Sequence, residues 1–235
     1  KYTYSLLSLN MKNSIIVAVD ETKNKNFCRI LDCLDPNKCM IKIGSASFNA
    51  MGHEIVSHVA KKGFKIFLDL KLHDIPNTVK KSIEGLISLP ISMITIHTSG
   101  GLKMMKTAKE SVKGTGIKIF GVTALTSLSD EDTNIIFQRT ASQHVEAMLN
   151  LAEEAQIDGV VCSPHELKLV TARNSLQSIT PGIRLAESND DQNRVMTPQE
   201  AILNGANYIV VGRPITNASH ISEALHEIHT YIEHL

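Results

Sequence analysis

The sequence predicts an α/β fold, a (β/α)8 TIM barrel in one domain, on three observations. Short apolar runs recur eight times, at residues 15–20, 40–44, 64–69, 93–97, 117–122, 158–162, 178–180 and 208–211. Amphipathic segments of helical period lie between them, and Asp20, Lys42, Asp69, Lys71 and His97 fall at the carboxyl ends of the first four runs. Runs that are apolar throughout mark strands covered on both faces, as in a parallel sheet wrapped by helices. Eight such units in about 225 residues fit a closed barrel, with a doubly wound open sheet as the runner-up.

Taken in order, the first run ends on Asp20. The second carries Lys42 two residues before Gly44, and an ammonium in so apolar a run needs a partner inside the barrel mouth. Phe48, Met51, Ile55 and Val59 follow at helical spacing, and Gly63 stands where that helix should be capped. The third run ends on Asp69, with Lys71 just beyond. Val79, Ile83, Leu86 and Ile87 form the next helical stripe, and the fourth run ends on His97. The fifth precedes Thr126; Val145, Met148, Leu149 and Ala152 make a helix before the sixth. The seventh opens into Thr180-Pro181-Gly182-Ile183-Arg184, and residues 184–196 are polar and expected to form a long mobile loop. The eighth leads into Gly212-Arg213-Pro214, and Ile221, Leu225, Ile228 and Ile232 predict a closing helix. The domain is placed at residues 11–235, because the pattern opens at Met11; residues 1–10 are expected to be a leader or upstream extension outside the fold.

Asp69-Leu70-Lys71-Leu72-His73-Asp74 sets two carboxylates and a lysine at one strand end. On a regular strand Asp69 and Lys71 share a face, and Asp74 lies in the loop that Pro76 closes. Carboxylates around an ammonium keep every group charged. Such a cluster can give a proton to one atom and a negative field to its neighbour. Lys42, Asp69, Lys71 and Asp74 are therefore candidates for an alternating chain of charge. A solvated ion-pair cluster would read alike in isolation, but these residues fall where barrel enzymes build their sites.

A second candidate lies at Gly212 and Arg213. Backbone N–H groups and a guanidinium suit a phosphate dianion, and barrels commonly bind phosphate with the loops after strands seven and eight. Arg184 and Gln192 add donors in the loop that begins at Pro181. His73 and His97 are candidate acids or bases, or simply hydrogen-bonded histidines. His220, His226, His229 and His234 lack any ligand geometry and are expected at the surface.

Composition narrows the classes. With 43% hydrophobic residues the 235-residue chain can bury one large core. Lys plus Arg and Asp plus Glu balance at 24 each, so no basic field points to nucleic acid or an anionic membrane. No apolar run reaches the ~18 residues of a membrane span, and residues 1–10 lack the pattern of a secretory signal. Cys28, Cys33, Cys39 and Cys162 show no metal or redox spacing and are expected to be reduced core thiols of a cytoplasmic protein. Gly-x-Gly-x-x-Gly, Gly-x-Ser-x-Gly and His-Glu-x-x-His are all absent.

The chain resembles the orotidine 5'-phosphate decarboxylase family. The resemblance rests on Val17-Ala18-Val19-Asp20, Lys42-Ile43-Gly44, the stretch from Asp69 through Asp74 to Ile75-Pro76-Asn77-Thr78, Val122-Thr123-Ala124-Leu125-Thr126-Ser127, Pro181-Gly182-Ile183-Arg184, Asp191-Gln192-Asn193-Arg194-Val195-Met196-Thr197-Pro198 and Val211-Gly212-Arg213. These come in the family's order and span essentially everything after Met11. The resemblance implies decarboxylation of orotidine 5'-monophosphate to UMP, the last step of pyrimidine nucleotide synthesis, without cofactor or metal, in a cytoplasmic homodimer. It implies that Lys71 protonates C6, that Asp69 crowds the substrate carboxylate, that Asp74 is donated across the dimer, and that Lys42 holds the network and a ribose hydroxyl. It further assigns Asp20 and Thr78 to the ribose, Thr126 to the pyrimidine, and Arg213, Gly212, Gln192 and Arg184 to the phosphate, with Ile75 and Pro181 also at the substrate. With no phosphoribosyltransferase segment in these 235 residues, the resemblance is expected to be to the bacterial monofunctional form. Two alternatives stand beside it. One is a magnesium-dependent sugar-phosphate decarboxylase or aldolase sharing Asp-x-Lys-x-x-Asp, against which Ile75 to Thr78 and the Thr126 segment argue. The other is a non-catalytic phosphate-binding barrel, against which Lys71 and Asp69 argue.

Overall fold

Eight parallel strands close on themselves in a computed structural model that describes residues 14–184 and 196–233. They are β1 (Ile15–Ala18), β2 (Met40–Gly44), β3 (Ile66–Leu72), β4 (Met93–His97), β5 (Lys118–Val122), β6 (Gly159–Val161), β7 (Gln177–Thr180) and β8 (Tyr208–Val211). Each pairs with its neighbours in sequence, and β8 returns to β1 with Ile15 opposite Ile209. The helices among the described residues are α1 (Asn24–Leu31), α2 (Ser45–Lys61), α3 (Pro76–Glu84), α4 (Leu102–Ser111), α5 (Asp130–Phe137), α6 (Ala141–Glu154), α7 (Leu167–Thr171), α8 (Pro198–Leu203), α9 (Arg213–Thr216) and α10 (Ile221–Glu233). None is long and apolar enough to cross a membrane.

Strand alternation sorts the apolar residues into two cores. Ile16, Ala18, Met40, Phe67, Met93, Phe120, Ile179 and Val210 pack together within the barrel. Their neighbours Ile15, Val17, Ile41, Ile43, Ile66, Leu68, Ile94 and Ile119 pack outward against the helices. Both sets are apolar, so the runs read as continuous. Each fully buried aliphatic or aromatic side chain contributes about 1.5–3 kcal/mol of burial. Gly159 has a structural cause: a Cβ there would overlap the Gln177 carbonyl and the Phe120 ring.

Helix ends follow local chemistry. Ser129 with Asp132, Thr140 with Gln143, and Thr197 with Glu200 form reciprocal capping boxes at α5, α6 and α8. Gly63 follows α2 with φ 88°, the left-handed geometry that lets the chain leave a helix. Inside α2, Gly52 is non-helical at φ 61°, so the stripe Phe48, Met51, Ile55 and Val59 spans a kink rather than one straight helix.

Two burial assignments need correction. Cys39 and Cys162 are core thiols, pushed up to about 12, burial being the larger cause and the Asp35 and Glu166 charges adding to it. Cys33, however, is exposed and Cys28 only half-buried, because both sit on α1 or its end, away from the barrel. His229 is buried rather than exposed, because it falls on the inner face of α10, where Nδ1 lies 3.3 Å from Glu233. His234, residues 1–13 and the loop segment 185–195 with Gln192 lie outside the described residues.

Candidate functional site

The carboxyl ends of the strands open into a cavity of about 560 Å³. Asp20, Lys42, Asp69, Lys71, Thr126, Pro181, Arg184, Gly212 and Arg213 all line it. Nine assigned residues from separate segments therefore meet in one place.

At one end lies the charge cluster. Asp69 is nearly buried at 6% exposure. Lys71 Nζ approaches its Oδ2 at 2.7 Å, and Lys42 Nζ approaches the same oxygen at 3.5 Å while bonding Asp20 Oδ1 at 3.0 Å. Burial alone would raise the Asp69 carboxyl. The Lys42 and Lys71 charges, with hydrogen bonds from Lys71 and Thr95, outweigh it and hold the group below its usual range. Asp69 thus stays ionised in a place that disfavours charge. Gly44 leaves room for the cluster, since a Cβ there would stand 3.0 Å from Asp20 Oδ1 and 3.2 Å from Lys42 Nζ.

Asp69 and Lys71 do meet, but not by regular alternation. The third strand runs on to Leu72 instead of ending at Asp69. Its pairing with β4 shifts between Leu68 opposite Ile94 and Leu72 opposite Ile96, and Lys71 adopts φ 51°. A non-glycine residue in this region is strained and persists only where surrounding contacts impose it. Thr95 supplies those contacts. It was not among the residues singled out from the sequence, although a lone hydroxyl in Met-Ile-Thr-Ile-His had to find partners once buried.

Asp74 does not join the chain of charge. It is exposed, forms no ion pair among the described residues, and takes the Ile75 N–H at 2.6 Å. Ile75, 66% exposed, and Thr78, also exposed, likewise lie outside the cavity lining. His73 and His97 meet as a tilted ring pair with centroids 5.1 Å apart, and neither lines the cavity. Burial, then the His73 and Lys71 charges, push the His97 imidazolium below its ordinary range against a smaller pull from Asp69.

The other end of the cavity carries two guanidinium groups. Arg213 is exposed at the start of α9, directly after Gly212. Arg184 is nearly buried and donates through Nη1 to the Ile183 carbonyl at 3.0 Å. Thr216 and Asn217, which the sequence did not single out, line the same end. No group of three or more His, Cys, Asp or Glu side chains among the described residues is arranged to hold a metal ion.

Known proteins share this architecture and sequence. Residues 13–228 match the family model described as orotidine 5'-phosphate decarboxylase / HUMPS family. Orotidine 5'-phosphate decarboxylase of Saccharophagus degradans is 43% identical over 220 residues, covering 91% of this chain and 92% of the relative. That of Legionella pneumophila strain Paris is 41% identical over 222 residues, covering 92% and 97%. A crystal structure of orotidine 5'-phosphate decarboxylase from Lactobacillus acidophilus superposes with a TM-score of 0.81 at 35% identity, covering 93% of this chain and 98% of that one.

Proposed function

Because the chain belongs to the orotidine 5'-phosphate decarboxylase / HUMPS family, we propose a residue-level account of orotidine 5'-monophosphate decarboxylation, yielding UMP and carbon dioxide, that starts from Lys71. The reaction itself, a carboxy-lyase step closing de novo UMP synthesis, is that of its family and relatives. The observation that carries the account is the buried Asp69 carboxylate held between two ammonium groups at one end of the cavity, with Arg213 at the other.

When carbon dioxide leaves C6, the bonding pair stays on a carbon the ring cannot delocalise well. Lys71 is the group placed to offset that charge and then to transfer an N–H proton to C6, giving UMP and a neutral amine. Asp69, ionised and enclosed, crowds the substrate carboxylate; the repulsion ends once neutral carbon dioxide departs. Lys42 holds Asp69 and Asp20 and faces a ribose hydroxyl, Asp20 takes the ribose, and Thr126 meets the pyrimidine. Gly212, Arg213, Arg184, Pro181 and Gln192 form the phosphate end. The largest enzymatic accelerations, ~10¹⁷, require about 23 kcal/mol. One ion pair cannot supply that, so binding energy from the phosphate must be used in the transition state.

We place Asp74, Ile75 and Thr78 in the site of a second copy of this chain. Their exposure, and their position outside their own cavity, support that placement. The charged nucleotide substrate and product support a cytoplasmic location, since neither crosses a bilayer unaided.

The sugar-phosphate alternative has no support in the relatives. The absorbance of orotidine 5'-monophosphate should fall on addition of the protein, at a rate unchanged by EDTA. No loss of absorbance in either condition would refute the assignment, and magnesium-dependent consumption of a sugar phosphate in its place would favour the alternative.

A further inference from the structure

We infer that Thr95 is a positioning residue for the reaction, acting through both Asp69 and Lys71. The inference rests on the proposed decarboxylation and adds to it a residue that touches no substrate. Thr95 lies within β4 and is fully buried. Its hydroxyl accepts the Lys71 N–H at 2.9 Å and donates to Asp69 Oδ1 at 2.9 Å. One hydroxyl therefore joins the backbone of the proton donor to the carboxylate beside it.

The register explains why this bond is needed. Asp69, Leu70 and Lys71 stand opposite Thr95 alone, because the pairing moves from Leu68 with Ile94 to Leu72 with Ile96. The surplus on β3 bulges out of the ladder and re-aims its side chains, as bulges beside active sites do. Lys71 pays for this with φ 51°. Its N–H, displaced from the ladder, would be a buried orphan without another acceptor, and the Thr95 hydroxyl is that acceptor. The same group spends its own proton on Asp69 Oδ1, leaving Oδ2 to Lys71 and Lys42. Both Asp69 oxygens are thus occupied by fixed partners, and the Lys71 backbone is fixed relative to them. A misplacement of about 1 Å at such a centre costs on the order of 10²-fold in rate.

Thr95→Val keeps the shape and removes both bonds. Expected is a fall in kcat of about 10²-fold, with UMP affinity within about threefold of wild type, because the phosphate end is untouched. Thr95→Ser, which restores the hydroxyl, should recover kcat to within about fivefold, since one donor and one acceptor are all the site uses. The acid limb of kcat/KM should also move to higher pH in Thr95→Val, because one bond holding Asp69 ionised is gone. If Thr95→Val does not fold, Thr95→Cys carries the same comparison, a thiol filling the space as a weak donor. Wild-type kcat in Thr95→Val, a loss matched by an equal loss of UMP affinity, or a Thr95→Ser as impaired as Thr95→Val would each overturn the inference. Wild-type protein assayed in parallel separates the two claims: inactivity there would refute the decarboxylase assignment, whereas normal activity beside an unimpaired Thr95→Val refutes only the role of Thr95.

Discussion

Lys71→Ala is expected to lower kcat by at least about 10⁴-fold while leaving UMP binding within a few-fold of wild type. A general acid contributes roughly 10²–10⁴, and a preorganised charge at the developing anion adds roughly 10²–10³; Lys71 is assigned both. Substitution also leaves the buried Asp69 carboxylate with Lys42, at 3.5 Å, as its one ammonium partner among the described residues. In the proposed account Asp69 faces a carboxylate that UMP lacks and other residues hold the phosphate, so UMP affinity should persist. Steady-state kinetics and calorimetric titration with UMP read the two effects separately. Weak UMP binding together with near-normal turnover would show that Lys71 grips the product rather than acting on C6.

The second large effect is a recovery. Asp74→Ala and Lys71→Ala homodimers should each be nearly inactive, since every site lacks one required group. On the proposed sharing of Asp74, the site on the Asp74→Ala chain of a mixed dimer keeps its own Lys71 and receives Asp74 of the partner subunit. That site is whole. Random exchange makes roughly half the dimers mixed, each with one good site of two, so activity should return to about a quarter of wild type. A mixture that stays inactive after verified subunit exchange would mean that Asp74 serves its own chain.

Much of this was legible in the sequence because barrels announce themselves locally. Each buried strand is an apolar run, and a charge at its carboxyl end has nowhere to go but the mouth, which is how Asp20, Lys42 and Asp69 could be placed. What was not legible depends on pairing between strands. Regular alternation placed Asp69 and Lys71 on one side, but the bulge opposite Thr95 and the strained Lys71 backbone come from the register of β3 against β4, which no single run encodes. Thr95 was passed over for the same reason, its partners lying 24 and 26 residues away in sequence. His229 and Cys33 were misplaced because a short stretch fixes the period of a helix better than its facing.

The central claim is that a C6 carbanion forms beside Lys71 and is protonated there, and the position of the incoming hydron tests it most directly. The ammonium protons of Lys71 exchange with solvent, so turnover of orotidine 5'-monophosphate in D₂O with EDTA present should give UMP carrying one deuterium at C6 and none at C5, with one carbon dioxide released per UMP. Deuterium at C5 would mean addition across the ring double bond before carbon dioxide leaves, and would contradict the account.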